Sequence, residues 1–294
     1  MGCWQLAGGY SVQGKPAGWG EMPPSEGVRL VRHAWGKGIR FYDTAAGYGN
    51  GRSEQILGEA LGEEPDAMIC TKAVLDPTSS HFKQNVEYAI NGSLRRLRRE
   101  HIEVFLLHGP ADQTHWSEVD TTPLERAKIL GKIGAWGVSS RSIVGARQAL
   151  QYPQAGTWVE WILNPLERRP ETQLFPHLGK NHFIARSPLA RGFLSRHHLR
   201  NPTTFTDFRS TLPKDWQQWT RGHAARLAEL TGDNDLASLS LRYAIGLDSV
   251  SFVIPGLRSK LQIDTACAAV ERGPLSHKTR AKIESLPSFY PPWA

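Results

Sequence analysis

Four polar residues close or closely follow short apolar runs. Asp43 lies in IRFYDT (39–44) with Tyr48 just beyond it, Lys72 lies in AMICTKA (67–73), and His108 ends VFLLH (104–108). These residue types together suit one reaction, the reduction of a carbonyl by hydride. As hydride reaches the carbon, negative charge grows on the oxygen, and a proton donor has to meet it there. A phenol with an ordinary pKa near 10 is a poor acid at neutral pH. A neighbouring Lys72 ammonium is expected to favour the phenolate and lower the Tyr48 pKa, while Asp43 keeps that lysine charged and oriented. A neutral His108 can hydrogen-bond the carbonyl oxygen and orient the substrate. Singly, each has a plainer reading: a turn or cap for Asp43, a surface position for Lys72, a core site for His108. Four of the right types at successive run ends call for one explanation.

For these ends to meet, the runs have to be neighbouring strands. Further runs are IGAWGVS (133–139), WVEWILN (158–164), HFIARSP (182–188) and SVSFVIPG (249–256), with GCWQL (2–6) as an eighth candidate. Amphipathic stretches over 25–38, 51–62, 85–100 and 259–273 lie between them. Near-continuous apolar strands alternating with helices predict a parallel sheet covered on both faces. Eight such units within 294 residues match a single α/β domain over 1–294, a closed (β/α)₈ TIM barrel, with an open doubly wound sheet as the competitor. Barrel strand ends converge on one cavity. Two long irregular stretches, 7–24 and 195–221, follow predicted strands and so belong at that mouth. Their aromatic residues Trp19, Phe205, Phe208, Trp216 and Trp219 either line a substrate pocket or pack the loops on themselves.

Composition narrows the class. Apolar residues make up 40% and charged residues 21%, an ordinary globular balance. The three cysteines, Cys3, Cys70 and Cys267, show neither paired nor metal-ligand spacing, which argues for a reducing compartment and a cytoplasmic protein. Cys70 reads as a small buried hydrophobe. No apolar stretch approaches the length of a membrane span, and the start MGCWQLAGGY lacks a signal-peptide pattern. The net charge of +7 is scattered, with LRRLRRE (94–100) its densest run, most simply a solvated helix face. Nucleic acid is therefore not expected as a partner, and a few cations for an anionic phosphate ligand explain the excess.

The segments GIRFYDTAAGYGNGRSEQILGEAL (38–61), ICTKA, VFLLHGP, GKIGAWGVSS (131–140), NPLERRPE (164–171), IARSPLARGFLS (184–195) and FVIPGLRS (252–259) resemble the aldo-keto reductases, and the resemblance covers nearly the whole chain. It implies a barrel that binds NADP(H) across its C-terminal face, with no separate dinucleotide domain and no metal, acting on a small carbonyl compound. Asp43, Tyr48, Lys72 and His108 would form the catalytic tetrad, with Tyr48 as general acid. Ser139 would lie near the nicotinamide carboxamide, and Ser187, Leu189 and Arg191 in SPLARG would approach the pyrophosphate. Gly256 would belong to the same cradle, Arg258 and Ser259 would hold the phosphate on the adenosine ribose, and Gln262 would lie near the adenine. Trp19, His108, Phe205 and Phe208 would line the substrate pocket. A helix N-terminus, a guanidinium and a hydroxyl suit a phosphate dianion, which favours NADPH over NADH.

Several positions depart from the family pattern. Ser140 stands where an asparagine is usual, Glu160 replaces a glutamine, Arg186 replaces an aromatic residue, and Thr265-Ala266 replaces a Glu-Asn pair. An amide both donates and accepts, whereas an ionised carboxylate only accepts. Glu160 and Arg186, on adjacent predicted strands, can pair across the pocket floor; tolerated variation in an ordinary reductase is the plainer alternative. The chain begins inside its first strand, without the hairpin that usually closes the barrel bottom. Two rival functions follow: a non-redox elimination or isomerisation on the same site, and a non-catalytic NADPH-binding subunit. A monomer or weak homo-oligomer is expected.

Overall fold

In the computed structural model, which describes residues 1–195 and 205–288, seven strands form one parallel sheet in sequence order. A small antiparallel hairpin, β1 (Ser11–Val12) and β2 (Lys15–Pro16), comes first. The sheet follows as β3 (Phe41–Asp43), β4 (Met68–Ala73), β5 (Ile102–His108), β6 (Ile133–Ser139), β7 (Trp158–Ile162), β8 (His182–Arg186) and β9 (Phe252–Ile254). Around it lie α1 (Pro24–Gly36), α2 (Arg52–Leu61), α3 (Phe82–Leu97), α4 (Thr122–Ile129), α5 (Ile143–Gln151), α6 (Arg169–Gln173), α7 (Lys214–Thr231), α8 (Leu236–Ile245), α9 (Lys260–Glu271) and α10 (His277–Glu284). This is the expected α/β barrel.

The eighth strand needs correction. Within GCWQL only Gly2 pairs, through parallel bridges to Asp43 on one side and Gly256 on the other. Its N–H donates to Pro255 O at 2.8 Å, and Asp43 N–H donates to Met1 O at 2.9 Å, so the ring still closes. Trp4–Ala7 then coil into a 3₁₀ turn that Gly8 ends at φ +72°. A run this short carries no period that separates a strand from a turn of helix.

Side chains alternate across a strand, and here the alternation stacks the barrel interior in layers. Phe41, Trp158 and Phe252 begin their strands and stack together at the N-terminal end, with Phe41 and Phe252 centroids 3.9 Å apart. Cys70, Val104, Leu106, Ile184 and Ile254 join them in one buried cluster. Two residues further along the strands come Asp43, Lys72, His108, Ser139, Glu160 and Arg186, which form the layer at the C-terminal mouth. Gly137 permits the close approach of β6 to β7, since a Cβ there would sit 2.0 Å from Trp158 O. Outward-facing Thr71 donates to Glu54 of α2 at 2.6 Å, and Arg96 of α3 donates to the same carboxylate at 2.6 Å.

The LRRLRRE run behaves as an amphipathic end of α3: Leu94 and Leu97 are buried, and Arg95 and Arg98 face water. All three cysteines are free, and burial lifts the Cys70 thiol well above its ordinary pKa, as befits a core position. Among the described residues no helix is long and apolar enough to cross a membrane.

Candidate active site

At the barrel mouth Lys72 is fully buried and hydrogen-bonds two carboxylates, Asp43 Oδ2 and, at 3.0 Å, Glu160 Oε2. The other Glu160 oxygen accepts from Ser139 Oγ at 2.9 Å and lies 3.9 Å from Arg186 Nε. Strand register explains the assembly, since Ser139 sits opposite both His108 and Glu160 across adjacent strands. The Glu160–Arg186 pair that the sequence offered as one of two readings is present but loose. The closer partner of Glu160 is Lys72, from across the barrel interior, and the sequence reading did not anticipate it.

Burial works against the Lys72 charge, and Asp43 and Glu160 overcome it, so the ammonium is held well above its ordinary pKa. Burial, then the neighbouring Glu160, raise Asp43 to about 7 despite the pull of Lys72. Burial alone would raise Glu160 as well, but Lys72 and Arg186 more than offset it, and its carboxyl lies below the usual value. His108 is pushed down to about 4, first by burial and then by the Lys72 charge, so its imidazole is neutral at physiological pH.

Tyr48 departs from the expectation. Its ring centroid lies 5.8 Å from Lys72 Nζ, 6.0 Å from the His108 ring and 5.9 Å from Trp4, on which it stacks. The phenol is raised, not lowered: burial dominates, and the two carboxylates counter the lowering effect of Lys72. Lys72 turns its hydrogen bonds to Asp43 and Glu160, and no hydrogen bond joins it to the Tyr48 hydroxyl.

An aromatic wall continues from Tyr48. Trp4 packs edge-on to Trp19 at 5.6 Å and against Phe208 at 4.5 Å, and Trp19 meets Phe208 at 4.7 Å. Trp19 and Phe208 are thus linked to Tyr48 through Trp4. Sequence reading missed Trp4 because it assigned that residue to a strand; an aromatic just past the first strand was the available signal. Phe205 packs with Phe193 at 5.4 Å and under the guanidinium groups of Arg209 and Arg221. Trp216 is fully buried against Phe193 in the core, and Trp219 stacks on His223. Residues 196–204 of the long loop lie outside the described residues.

In the SPLARG segment expected near the pyrophosphate, Ser187, Ala190 and Arg191 all adopt left-handed φ, between +44° and +57°, and Gly192 follows at +90°; the Ala190 and Gly192 N–H groups are taken up in the turn, donating to Ser187 O at 2.9 Å and Leu189 O at 2.8 Å. Ser259 caps α9 by accepting from Gln262 N–H, and the Gln262 side chain accepts from Arg258 N–H at 2.7 Å. The Arg258 guanidinium donates to two loop carbonyls, Trp19 O and, at 2.9 Å, Glu21 O. Gly256 is overlain by Gln5, whose buried Oε1 has no partner among the described residues. Ser140 uses its hydroxyl in the turn to Ser142, at 2.7 Å, and its carbonyl accepts from Arg186 at 3.2 Å. A capped twelve-residue helix with a guanidinium at its N-terminus has donor chemistry that suits the phosphate of a phosphorylated dinucleotide.

Residues 1–287 match the Aldo/keto reductase family. The chain belongs to that family. As an aldo/keto reductase it is an oxidoreductase that depends on a nicotinamide cofactor. An uncharacterized oxidoreductase of Mycobacterium tuberculosis is 29% identical over 303 residues, covering 99% of this chain and 90% of that protein. Among solved structures, an aldo-keto reductase from Bacillus halodurans in its holo form is 26% identical with a TM-score of 0.77, covering 100% of this chain and 93% of the other. A glycerol dehydrogenase from Gluconobacter oxydans is likewise 26% identical, with a TM-score of 0.75, covering 97% and 89%.

Proposed function

We propose that this aldo/keto reductase reduces an aldehyde or ketone to the alcohol with NADPH, and that Tyr48 donates the proton. What supports this reading above all is the convergence of a phenol, a neutral imidazole and a carboxylate-bound ammonium at one mouth of the barrel. When bound, NADPH supplies the hydride. His108, neutral above pH 4, offers a ring N–H to the carbonyl oxygen and holds it near Tyr48. The phenol keeps its proton until charge has grown on that oxygen, because burial disfavours its ionised form. An alkoxide is a much stronger base than a phenolate, so the proton then moves from Tyr48 to the substrate. Lys72, a fixed cation a short distance away, stabilises the phenolate left behind.

The capped N-terminus of α9, with Arg258 and Ser259, favours NADPH over NADH because it offers cationic and N–H donors to a ribose phosphate. The aromatic wall of Trp4, Trp19 and Phe208 gives the substrate an apolar side. Tyr48→Phe tests the reading. Fluorescence titration is expected to give an unchanged NADPH affinity, while kcat/KM for carbonyl reduction falls by about 10²–10⁴-fold. Full activity in that variant would rule out Tyr48 as the donor.

A further inference from the structure

Among the described residues Lys72 is the ammonium that faces Tyr48, and it is shared. Its Nζ bonds Asp43 from β3 and Glu160 from β7, and both carboxylates are almost wholly removed from water. Glu160 is itself held in place by Ser139 Oγ and steadied by Arg186. Asp43 already holds the Lys72 ammonium through a hydrogen bond of its own, and Glu160 adds a second carboxylate on the other side. We propose that Glu160 is a positioning residue that sets how much of the Lys72 charge reaches Tyr48, by drawing the ammonium toward itself and away from the phenol. This rests on the reading of Tyr48 as proton donor and adds to it a determinant of the working pH range.

The charged and titratable groups that face Tyr48 are Lys72 on β4, Asp43 on β3, Glu160 on β7, Arg186 on β8 and His108 on β5. Lys72 and Arg186 favour the phenolate; Asp43 and Glu160 oppose it; His108 is neutral. Removing the Glu160 charge therefore acts twice in one direction, taking away a repelling carboxylate and freeing Lys72 to turn toward the hydroxyl. The Tyr48 proton becomes easier to lose, and the enzyme stops reducing carbonyls at a lower pH.

Glu160→Gln keeps the volume and hydrogen-bonding reach of the side chain. In protein labelled with ¹³C at the tyrosine ring carbon bearing oxygen, the Tyr48 signal is assigned by its loss in Tyr48→Phe. Without NADPH, that signal is expected to stay at its protonated position in the wild type well past pH ~10, and to titrate about one pH unit lower or more in Glu160→Gln. With NADPH saturating and the carbonyl varied, the alkaline limb of kcat/KM for the carbonyl moves down in the same direction. Glu160→Asp, which keeps the charge but withdraws it from Lys72 by one methylene, shifts both in the same direction by less.

A role confined to supporting the fold would lower the melting temperature of these variants and leave the limb and the tyrosine signal where they were; that outcome overturns the proposal. If Glu160→Gln does not fold, Glu160→Asp carries the same test. Loss of activity in Tyr48→Phe together with an unmoved limb in the Glu160 variants defeats the inference alone. Retained activity in Tyr48→Phe defeats the reading beneath it.

Discussion

His108 is a titratable side chain kept uncharged by its surroundings. Its folded pKa of about 4 lies below the ordinary 6.5, so the folded state binds fewer protons than the unfolded chain between those values. The stability that this lends is fully present above pH 6.5 and is lost as pH falls toward 4. Asp43, raised to about 7, acts in the opposite sense, gaining its proton more readily in the fold as pH drops through 7. The raw pH dependence of melting therefore mixes the two, and a difference separates them. The melting temperature of His108→Gln, taken relative to the wild type, is expected to rise as pH is lowered from 6.5 to 4. A constant difference would show that His108 titrates normally.

That Asp43, Lys72 and His108 reach one mouth of the barrel, with Tyr48 beside them, was legible at this scale because strand ends mark themselves in the sequence, through apolar runs that stop at a polar residue. The Glu160–Lys72 contact was not, because the two side chains meet across the barrel interior, 88 residues apart. The upward shift of Tyr48 was missed because its largest cause is burial, which only the folded barrel sets, with the Asp43 and Glu160 carboxylates countering Lys72.

Among the elements, α2, α3 and β4 are tied through one buried carboxylate. Glu54 is 0% exposed and accepts from both Thr71 and Arg96. Glu54→Ala leaves two donors facing an apolar seam; Arg96 keeps partial access to water, so the expected loss is about 1.5–3 kcal/mol in urea denaturation. An unchanged midpoint would mean that water replaces the carboxylate without penalty.

The turn before α9 is the second junction, because Arg258 both borders the proposed phosphate site and clasps the carbonyls of Trp19 and Glu21. Arg258→Ala is expected to raise the KM for NADPH far more than that for NADH, with kcat at saturating cofactor little changed. It should also speed deuterium exchange in the 17–21 loop. Equal losses for both cofactors would contradict the ribose-phosphate assignment. The helices over 24–36, 52–61, 82–97 and 260–271 were legible from apolar spacing, whereas the cap that Ser259 provides was not read from the sequence. The first strand was not, since its pairing reduces to Gly2 and its apolar residues go on to form a turn.

At the scale of the whole molecule, seven strands and one bridging glycine close a cylinder whose interior changes character along its axis. Stacked aromatics fill the N-terminal end, aliphatic side chains the middle, and ionisable ones the mouth. Strands alternating with helices made the barrel legible; the shape of the pocket was not, because it depends on how two long loops fold over the mouth. Trp19 and Phe208 come from separate loops yet touch each other.

The central claim is hydride transfer from NADPH to a carbonyl carbon at this mouth, and isotope tracing tests it most directly. The enzyme is supplied with NADPH dideuterated at the nicotinamide C4 and with a panel of aldehydes and ketones, and consumption at 340 nm is followed alongside mass analysis of the product. For each compound turned over, one alcohol is expected per NADPH consumed, with one deuterium on the carbinol carbon. A product formed without loss of the 340 nm signal, or an alcohol without deuterium, would contradict the account.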